Sequence, residues 1–267
     1  MMRSSDRIRQ RLIGELRLAG CVAADEEADE LLEAAGADPE LLTSLLARRR
    51  AGEPLAWLTG STRFLNVTVR IKPGVYVPRW QSEPLAVEAA DRLPPDGIAV
   101  DLCTGAGALA MVMSHHRPDA TVMGTELDPL AADCARANGV AVVVGDLNEG
   151  LPPSIIGQVD VVVGVVPYVP TGSLELLPRD VLAFEPLAAL DGGADGLRVL
   201  RRAAQAAREL LRPGGSLLLE LGGDQLQAAH DLLDALGYIE IEGRRDGDGD
   251  VRAIVARRPL SVPTTSR

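Results

Sequence analysis

The sequence predicts an α/β fold with a mostly parallel, doubly wound sheet. Four apolar runs, at residues 98–102, 120–125, 140–144 and 159–163, have the length and composition of buried strands. Helical patterns follow the first two runs, and strands that alternate with helices are typical of parallel sheets. The carboxyl ends of parallel strands share one edge, where ligands bind in open α/β folds. We therefore expect the residues after the four runs to form one site.

Helices are predicted before the sheet begins. Residues 1–57 are interpreted as a small N-terminal helical domain, because apolar residues recur there at helical spacing. Asp38 and Pro39 are suited to begin one of these helices. Residues 58–77 are predicted to link the two parts as a β-hairpin, since residues 62–71 are rich in β-forming residues with a polar break. The polar tail at residues 261–267 is predicted to be disordered.

The α/β domain is assigned to residues 78–260, and its elements follow from apolar periodicity and turn residues. Beside the four runs, helices are expected at residues 82–93, 107–115, 129–138, 195–211 and 224–236. Further strands are expected at residues 216–220, 238–243 and 251–257. The segment 212–215, Arg-Pro-Gly-Gly, is predicted to be a turn before the strand at 216–220.

A glycine turn follows the first run and is the strongest local indication of a binding site. Gly105 and Gly107 have no Cβ, so their backbone can lie against a ligand, and the next helix presents unpaired N–H groups at its start. Glu126 ends the second run, where a carboxylate can accept hydrogen bonds from ribose hydroxyls. Asp146 ends the third run and can meet an adenine amine. Together they predict a nucleotide-like cofactor.

The composition limits the possible partners. The chain has 267 residues, a net charge of −11 and 46% hydrophobic residues, which argues for a globular protein and against binding a nucleic-acid backbone. Three widely spaced cysteines lack metal-ligand spacing and favour reduced thiols in the cytoplasm, with no metal. The polar start does not resemble a signal peptide, and no apolar run approaches the roughly 18 residues that span a bilayer.

Five segments carry a resemblance to a known family. The segments at residues 49–60, 77–83, 101–107, 185–197 and 246–252 are similar, in order and spacing, to motifs of the protein-(glutamine-N5) methyltransferases (PrmC/HemK). Residues 49–60 resemble the family's R-x-x-G-x-P-x-x-Y-x-x-G linker, with Trp57 at the tyrosine position, and residues 185–197 match its E-P-x-x-A-L-x-G-G-x-D-G-L block. This family modifies peptide-release factors, and the resemblance covers nearly the whole chain.

The resemblance implies a class I S-adenosylmethionine methyltransferase fold, with a seven-stranded sheet and a small N-terminal helical domain. It implies S-adenosylmethionine as the methyl donor. The implied cofactor-binding residues are Asp101, Thr104, Gly105, Ala106, Gly107, Glu126, Leu127, Asp146 and Leu147. The implied substrate-binding residues are Arg79, Glu185 and Pro186. Arg79 has the alternative of capping the following helix.

The chain departs from the family in its catalytic segment. Val165, Val166, Pro167 and Tyr168 stand where the family has N-P-P-Y. An amide nitrogen is a poor nucleophile, so aiming it at a sulfonium methyl requires acceptors for its two N–H groups. Val166 keeps a backbone carbonyl for one of them, but Val165 has no side-chain acceptor for the other. Loss of such a positioned hydrogen bond is expected to lower the rate about 10²–10³-fold.

The primary prediction is a methyltransferase that N-methylates a glutamine amide of a protein such as a release factor. One alternative is a small-molecule methyltransferase, whose nucleophile does not need the missing acceptor. Another is a cofactor-binding protein with lost or altered catalysis. The predicted partners are thus a protein or a small-molecule methyl acceptor, without nucleic acid or membrane, and the sequence leaves the oligomeric state open.

Overall fold

The structure is a computed structural model and describes residues 4–260. Its helices are α1 (Ser4–Leu18), α2 (Ala24–Ala35), α3 (Pro39–Arg50), α4 (Leu55–Thr59), α5 (Glu83–Arg92), α6 (Ala108–His116), α7 (Pro129–Ala137), α8 (Arg179–Phe184), α9 (Arg198–Leu210) and α10 (Leu226–Ala235). Its strands are β1 (Ser61–Phe64), β2 (Val67–Arg70), β3 (Ile98–Leu102), β4 (Thr121–Glu126), β5 (Ala141–Val144), β6 (Val159–Gly164), β7 (Val169–Pro170), β8 (Asp191–Gly193), β9 (Leu211–Glu220), β10 (Ile239–Arg245) and β11 (Val251–Arg257).

Seven strands form the central sheet, in the order β10-β11-β9-β6-β3-β4-β5. The five strands from β9 to β5 run parallel, and β11 is antiparallel to both β9 and β10. The chain moves from β3 outward to β5 and then returns to place β6 on the other side of β3. This reversal opens a crevice at the carboxyl ends of β3 and β6, where open α/β folds bind ligands. The predicted doubly wound, seven-stranded fold is confirmed.

Both faces of the parallel strands are buried. On one face Val161, Val163 and Leu218 pack with residues of α5, α6 and α7. On the other face Val162 and Leu217 pack with α9 and α10. Successive residues of a strand point to opposite faces, which explains why apolar residues occupy consecutive positions at 161–163 of β6 and 217–219 of β9.

The N-terminal helices α1, α2 and α3 have a buried cluster of their own, which includes Leu16, Leu31 and Leu45. Asp38 caps α3 as predicted, since its carboxylate accepts hydrogen bonds from two backbone N–H groups of the first turn. The division of the chain after residues 57 and 77 stays a prediction. The predicted disordered tail, residues 261–267, lies outside the described residues.

The structure corrects two expectations about secondary structure. The predicted turn at 212–215 lies inside β9, where it forms a bulge: β6 advances from Val159 to Val161 while β9 advances from Leu211 to Ser216. Residues 169–190, for which no element was predicted, contain β7, α8 and short 3₁₀ turns, and β7 pairs with β8 just beyond them.

Two further expectations concern the cysteines and the membrane. Within the described residues Cys21, Cys103 and Cys134 form no disulfide bond, and the cytoplasmic location stays a prediction. Within residues 4–260, no helix is both long and apolar enough to cross a bilayer.

Candidate active site

A cavity of about 1170 Å³ opens at the carboxyl edge of the parallel strands. Small-molecule sites typically enclose about 300–1,000 Å³, so this cavity has room for a nucleoside cofactor and part of an acceptor. Residues of α2, α3 and the α1–α2 connection also line it. The predicted site residues in its wall are Arg79, Gly105, Glu126, Leu127, Asp146, Leu147, Val165, Val166, Pro167, Tyr168 and Pro186.

The glycine turn after β3 is fastened to the end of β4 by a carboxylate. One oxygen of Glu126 accepts a hydrogen bond from the backbone N–H of Gly105 at 2.8 Å. The other accepts from the backbone N–H of Asp128 at 3.0 Å. Burial raises the pKa of Glu126, while these backbone donors lower it. Each carboxylate oxygen has a second lone pair, so Glu126 can still accept hydrogen bonds from a ribose.

The two glycines of the turn have different surroundings. A Cβ on Gly107 would lie 2.7 Å from a methyl carbon of Val140, so this glycine is required by packing between the turn and the residue that precedes β5. A Cβ on Gly105 would meet nothing within 4 Å, because this residue faces open cavity. Both have positive φ angles, of +57° for Gly105 and +90° for Gly107. A backbone exposed to the cavity beside Glu126 fits the adenosine and methionine parts of S-adenosylmethionine.

Five predicted site residues do not line the cavity: Asp101, Thr104, Ala106, Gly107 and Glu185. Asp101 is almost fully buried and accepts a hydrogen bond of 2.6 Å from the Thr104 hydroxyl. Burial raises the pKa of Asp101 to about 7, and the Thr104 hydrogen bond opposes this shift. The pair therefore supports the glycine turn from behind, and direct contact with a cofactor stays a prediction.

Asp146, at the predicted adenine side, has a partner that the sequence did not indicate. Its carboxylate accepts a hydrogen bond of 2.7 Å from the Arg202 guanidinium of α9, which also lines the cavity. Leu127 is 65% exposed and Leu147 is buried, and both lie in the wall of the cavity. Arg202 follows another arginine on the same helix, so no sequence signal distinguishes it.

The predicted catalytic segment follows β6 and lines the cavity throughout. Val165 packs against the cluster that contains Val163 and Leu218, so its aliphatic side chain forms an apolar wall. Among residues 4–260, none donates a hydrogen bond to the carbonyl oxygen of Val166. That oxygen is thus free to accept one from a substrate. Tyr168 lies against Gly222, where an added Cβ would meet its ring at 2.8 Å.

A buried carboxylate, Glu220, was missed from the sequence. It ends β9, is 3% exposed and lines the cavity. The hydroxyls of Ser82 and Tyr168 both donate hydrogen bonds to it. Burial raises the pKa of Glu220, although these two donors and the charge of Arg252 lower it. In the sequence it stands within an apolar leucine run, which indicated only a strand.

Arg79 is held by two neighbours at the cavity. Its guanidinium forms an ion pair with the buried carboxylate of Glu185. It also lies 5.2 Å from the centre of the Tyr76 ring, and burial raises the pKa of Tyr76 to about 12. Arg79 makes no side-chain cap to the following helix, so the capping alternative is wrong. Its predicted contact with a substrate remains a prediction.

Comparison with known proteins identifies relatives of this site. No family model matches the chain. A release factor glutamine methyltransferase from Moorella thermoacetica is 40% identical over 197 residues, which cover 71% of this chain and 69% of that protein. A 4-amino-L-phenylalanine/4-methylamino-L-phenylalanine methyltransferase from Streptomyces pristinaespiralis is 36% identical over 228 residues, which cover 81% of this chain and 77% of that protein.

A solved structure shares the fold. The 16S rRNA N2 G1207 methyltransferase of T. thermophilus aligns with a TM-score of 0.52 and 20% identity, over 78% of this chain and 46% of that one. The sheet order, together with this match, shows the fold of the class I methyltransferases. At 40% identity to a member, the chain belongs to the release factor glutamine methyltransferase family. The predicted family, fold class and cofactor are thus confirmed.

Proposed function

We propose that this protein methylates the side-chain amide nitrogen of a glutamine in a protein, with a release factor as the substrate class. The main support for this proposal is the 40% identity to a release factor glutamine methyltransferase over a region that includes most of the chain. The geometry supports it, because the segment after β6 and the glycine turn after β3 line one cavity. The acidic charge of −11 argues against a nucleic-acid acceptor.

The proposed roles follow from the placement of each residue. S-adenosylmethionine supplies an electrophilic methyl group on a sulfonium. We assign its methionine part to the backbone of Gly105, its ribose to Glu126 and its adenine to Asp146, with Leu127 and Leu147 beside the adenosine. Each of these residues lines the cavity, and hydrogen bonds hold Glu126 and Asp146 in position. These side chains are therefore fixed before any ligand binds, as precise binding requires.

The acceptor amide is assigned to the space beside Val165 and Val166. The carbonyl oxygen of Val166 would accept one amide N–H, as the backbone carbonyl at this position is expected to do in the family. Tyr168 would form the wall of the substrate slot, and the ion pair of Arg79 with Glu185 would hold the rim near Pro186. Val165 contributes shape only, because it has no polar side-chain atom.

Mass spectrometry of a release factor incubated with the protein and S-adenosylmethionine tests this function. We expect one added methyl group on the glutamine of its Gly-Gly-Gln sequence. A release factor with asparagine at that position is the matched control and should remain unmodified. An unchanged Gly-Gly-Gln peptide after prolonged incubation would contradict the proposal.

A second candidate acceptor is the amino group of an amino-acid-sized molecule. Two observations favour it: Val165 removes a polar atom from the slot, and a relative at 36% identity is named for methylation of 4-amino-L-phenylalanine and its methylamino form. Incubation with 4-amino-L-phenylalanine in place of the release factor separates the two candidates. Methylation of this amine with an unmodified release factor would select the second one.

A further inference from the structure

Glu220 stands beside the position at which the family's asparagine is replaced. Gly164, the last residue of β6, is the register partner of Leu219 on β9, so the next residues on the two strands are Val165 and Glu220. Neighbouring strands lie about 4.8 Å apart. The two residues are therefore lateral neighbours at the edge of the sheet where the cavity opens.

The two side chains also lie on the same face of the sheet. Val165 packs against the buried cluster that includes Val163 and Leu218, on the face covered by α5. Glu220 lies two residues after Leu218, and side chains of a strand alternate between faces, so it shares that face. Its hydrogen bond from Ser82, immediately before α5, agrees with this placement. A carboxylate thus stands next to the point where the carboxamide oxygen is missing.

We propose that Glu220 is a catalytic residue that replaces the missing asparagine: its carboxylate accepts a hydrogen bond from the acceptor nitrogen and takes the proton that this nitrogen loses. The inference rests on methyl transfer to nitrogen at this site, as in the proposed function. In the step, a bond forms between the nitrogen and the methyl carbon while the methyl–sulfur bond breaks. The electron pair of that bond stays on sulfur, and the proton passes from nitrogen to the Glu220 carboxylate.

The surroundings of Glu220 suit this role. Ser82 and Tyr168 donate hydrogen bonds that fix its orientation. Arg252, from β11, is the nearby cation, and Tyr76 is the other titratable group that interacts with it. Burial raises the pKa of Glu220, which makes it a better proton acceptor than an exposed glutamate.

A double-mutant cycle with Val165 tests the assignment on the full-length protein. Glu220→Gln should lower kcat about 10²-fold with the acceptor that the wild-type protein methylates, and its affinity for S-adenosylhomocysteine should be unchanged. It should also remove the acidic limb of the pH–kcat profile, where protonation of Glu220 slows the wild-type protein. In a Val165→Asn background, which restores the carboxamide, we expect the same substitution to cost less than about tenfold. Glu242→Gln, an exposed carboxyl on β10, is the matched control.

A merely structural role predicts a different result. Glu220→Gln would then cost the same factor in both backgrounds, because the two substitutions would act independently. Equal losses, or a change in kcat below about threefold, would overturn the assignment. Glu220→Asp serves as a second variant: it keeps a carboxylate and should retain the acidic limb at a reduced rate.

A binding measurement separates failure of this inference from failure of the proposed function. NMR of carboxyl-labelled glutamate, assigned by comparison with Glu220→Gln, reports on this group in the complex with S-adenosylhomocysteine. A Gly-Gly-Gln peptide should shift the Glu220 resonance. If only 4-amino-L-phenylalanine shifts it, the glutamine function fails and the role of Glu220 stands. If neither compound shifts it at millimolar concentration, the role of Glu220 is refuted.

Discussion

Replacing Glu126 by glutamine should weaken cofactor binding while the fold is retained. The Glu126 carboxylate accepts backbone hydrogen bonds from Gly105 at 2.8 Å and Asp128 at 3.0 Å, and is assigned to accept more from the ribose. A glutamine can accept one of the backbone bonds through its oxygen, but its amide nitrogen would face the other N–H as a second donor. Hydrogen bonds to a charged group contribute about 1.5–3 kcal/mol each.

Loss of at least one such bond corresponds to an affinity about 10–100-fold lower for S-adenosylhomocysteine. Isothermal titration calorimetry at constant ionic strength measures this directly. Glu242→Gln is the matched control, since it removes an exposed carboxylate that does not line the cavity and should bind like the wild type. An affinity of Glu126→Gln within about threefold of the wild type would refute the reasoning.

Three other substitutions test the supports of the site. Burial raises the pKa of Asp101 to about 7, so the folded state holds this proton more tightly than the unfolded state, and the group lowers the stability of the protein as pH rises from about 4 to 7. Asp101→Asn should therefore remove about 2 kcal/mol of the difference in unfolding free energy between pH 5 and pH 8, measured by urea denaturation. An unchanged difference would contradict this expectation. Gly107→Ala should destabilise the protein by about 1–3 kcal/mol, because the new Cβ would lie 2.7 Å from Val140 and the φ of +90° is strained for alanine. A urea midpoint equal to that of the wild type would contradict this expectation. Glu185→Gln leaves half-buried Arg79 without its charged partner and should lower the unfolding free energy by about 1–2 kcal/mol in the same assay. An unchanged unfolding free energy would show that the ion pair contributes nothing to stability.

Much of the fold could be predicted because its signals are local. The runs at 98–102 and 251–257 consist mainly of apolar residues, and β3 and β11 span the same residues. Residues 169–190 could not be predicted, because their order depends on contacts distant in sequence. The backbone N–H of Val169 donates to the carbonyl of Leu190, and Phe184 packs edge-on against Trp57.

The site residues also differ in whether a local sequence signal indicates them. That Glu126 and Asp146 line one cavity could be predicted, because each stands at the end of a recognisable strand and parallel strands bring their ends together. Arg202 and Glu220 were not found, since their positions depend on which helix and strand lie beside the crevice. The sequence showed that β9 exists, but only the sheet order places it next to β6. Without that order, Glu220 is one polar residue in a leucine run.

The double anchoring of Glu126, by backbone groups after both β3 and β4, has a kinetic consequence. A nucleoside arriving at this edge meets a turn that already has its final shape, so little conformational entropy is lost when it docks. Association should then proceed at an ordinary diffusional pace, in a single phase, without a slow rearrangement of the loop.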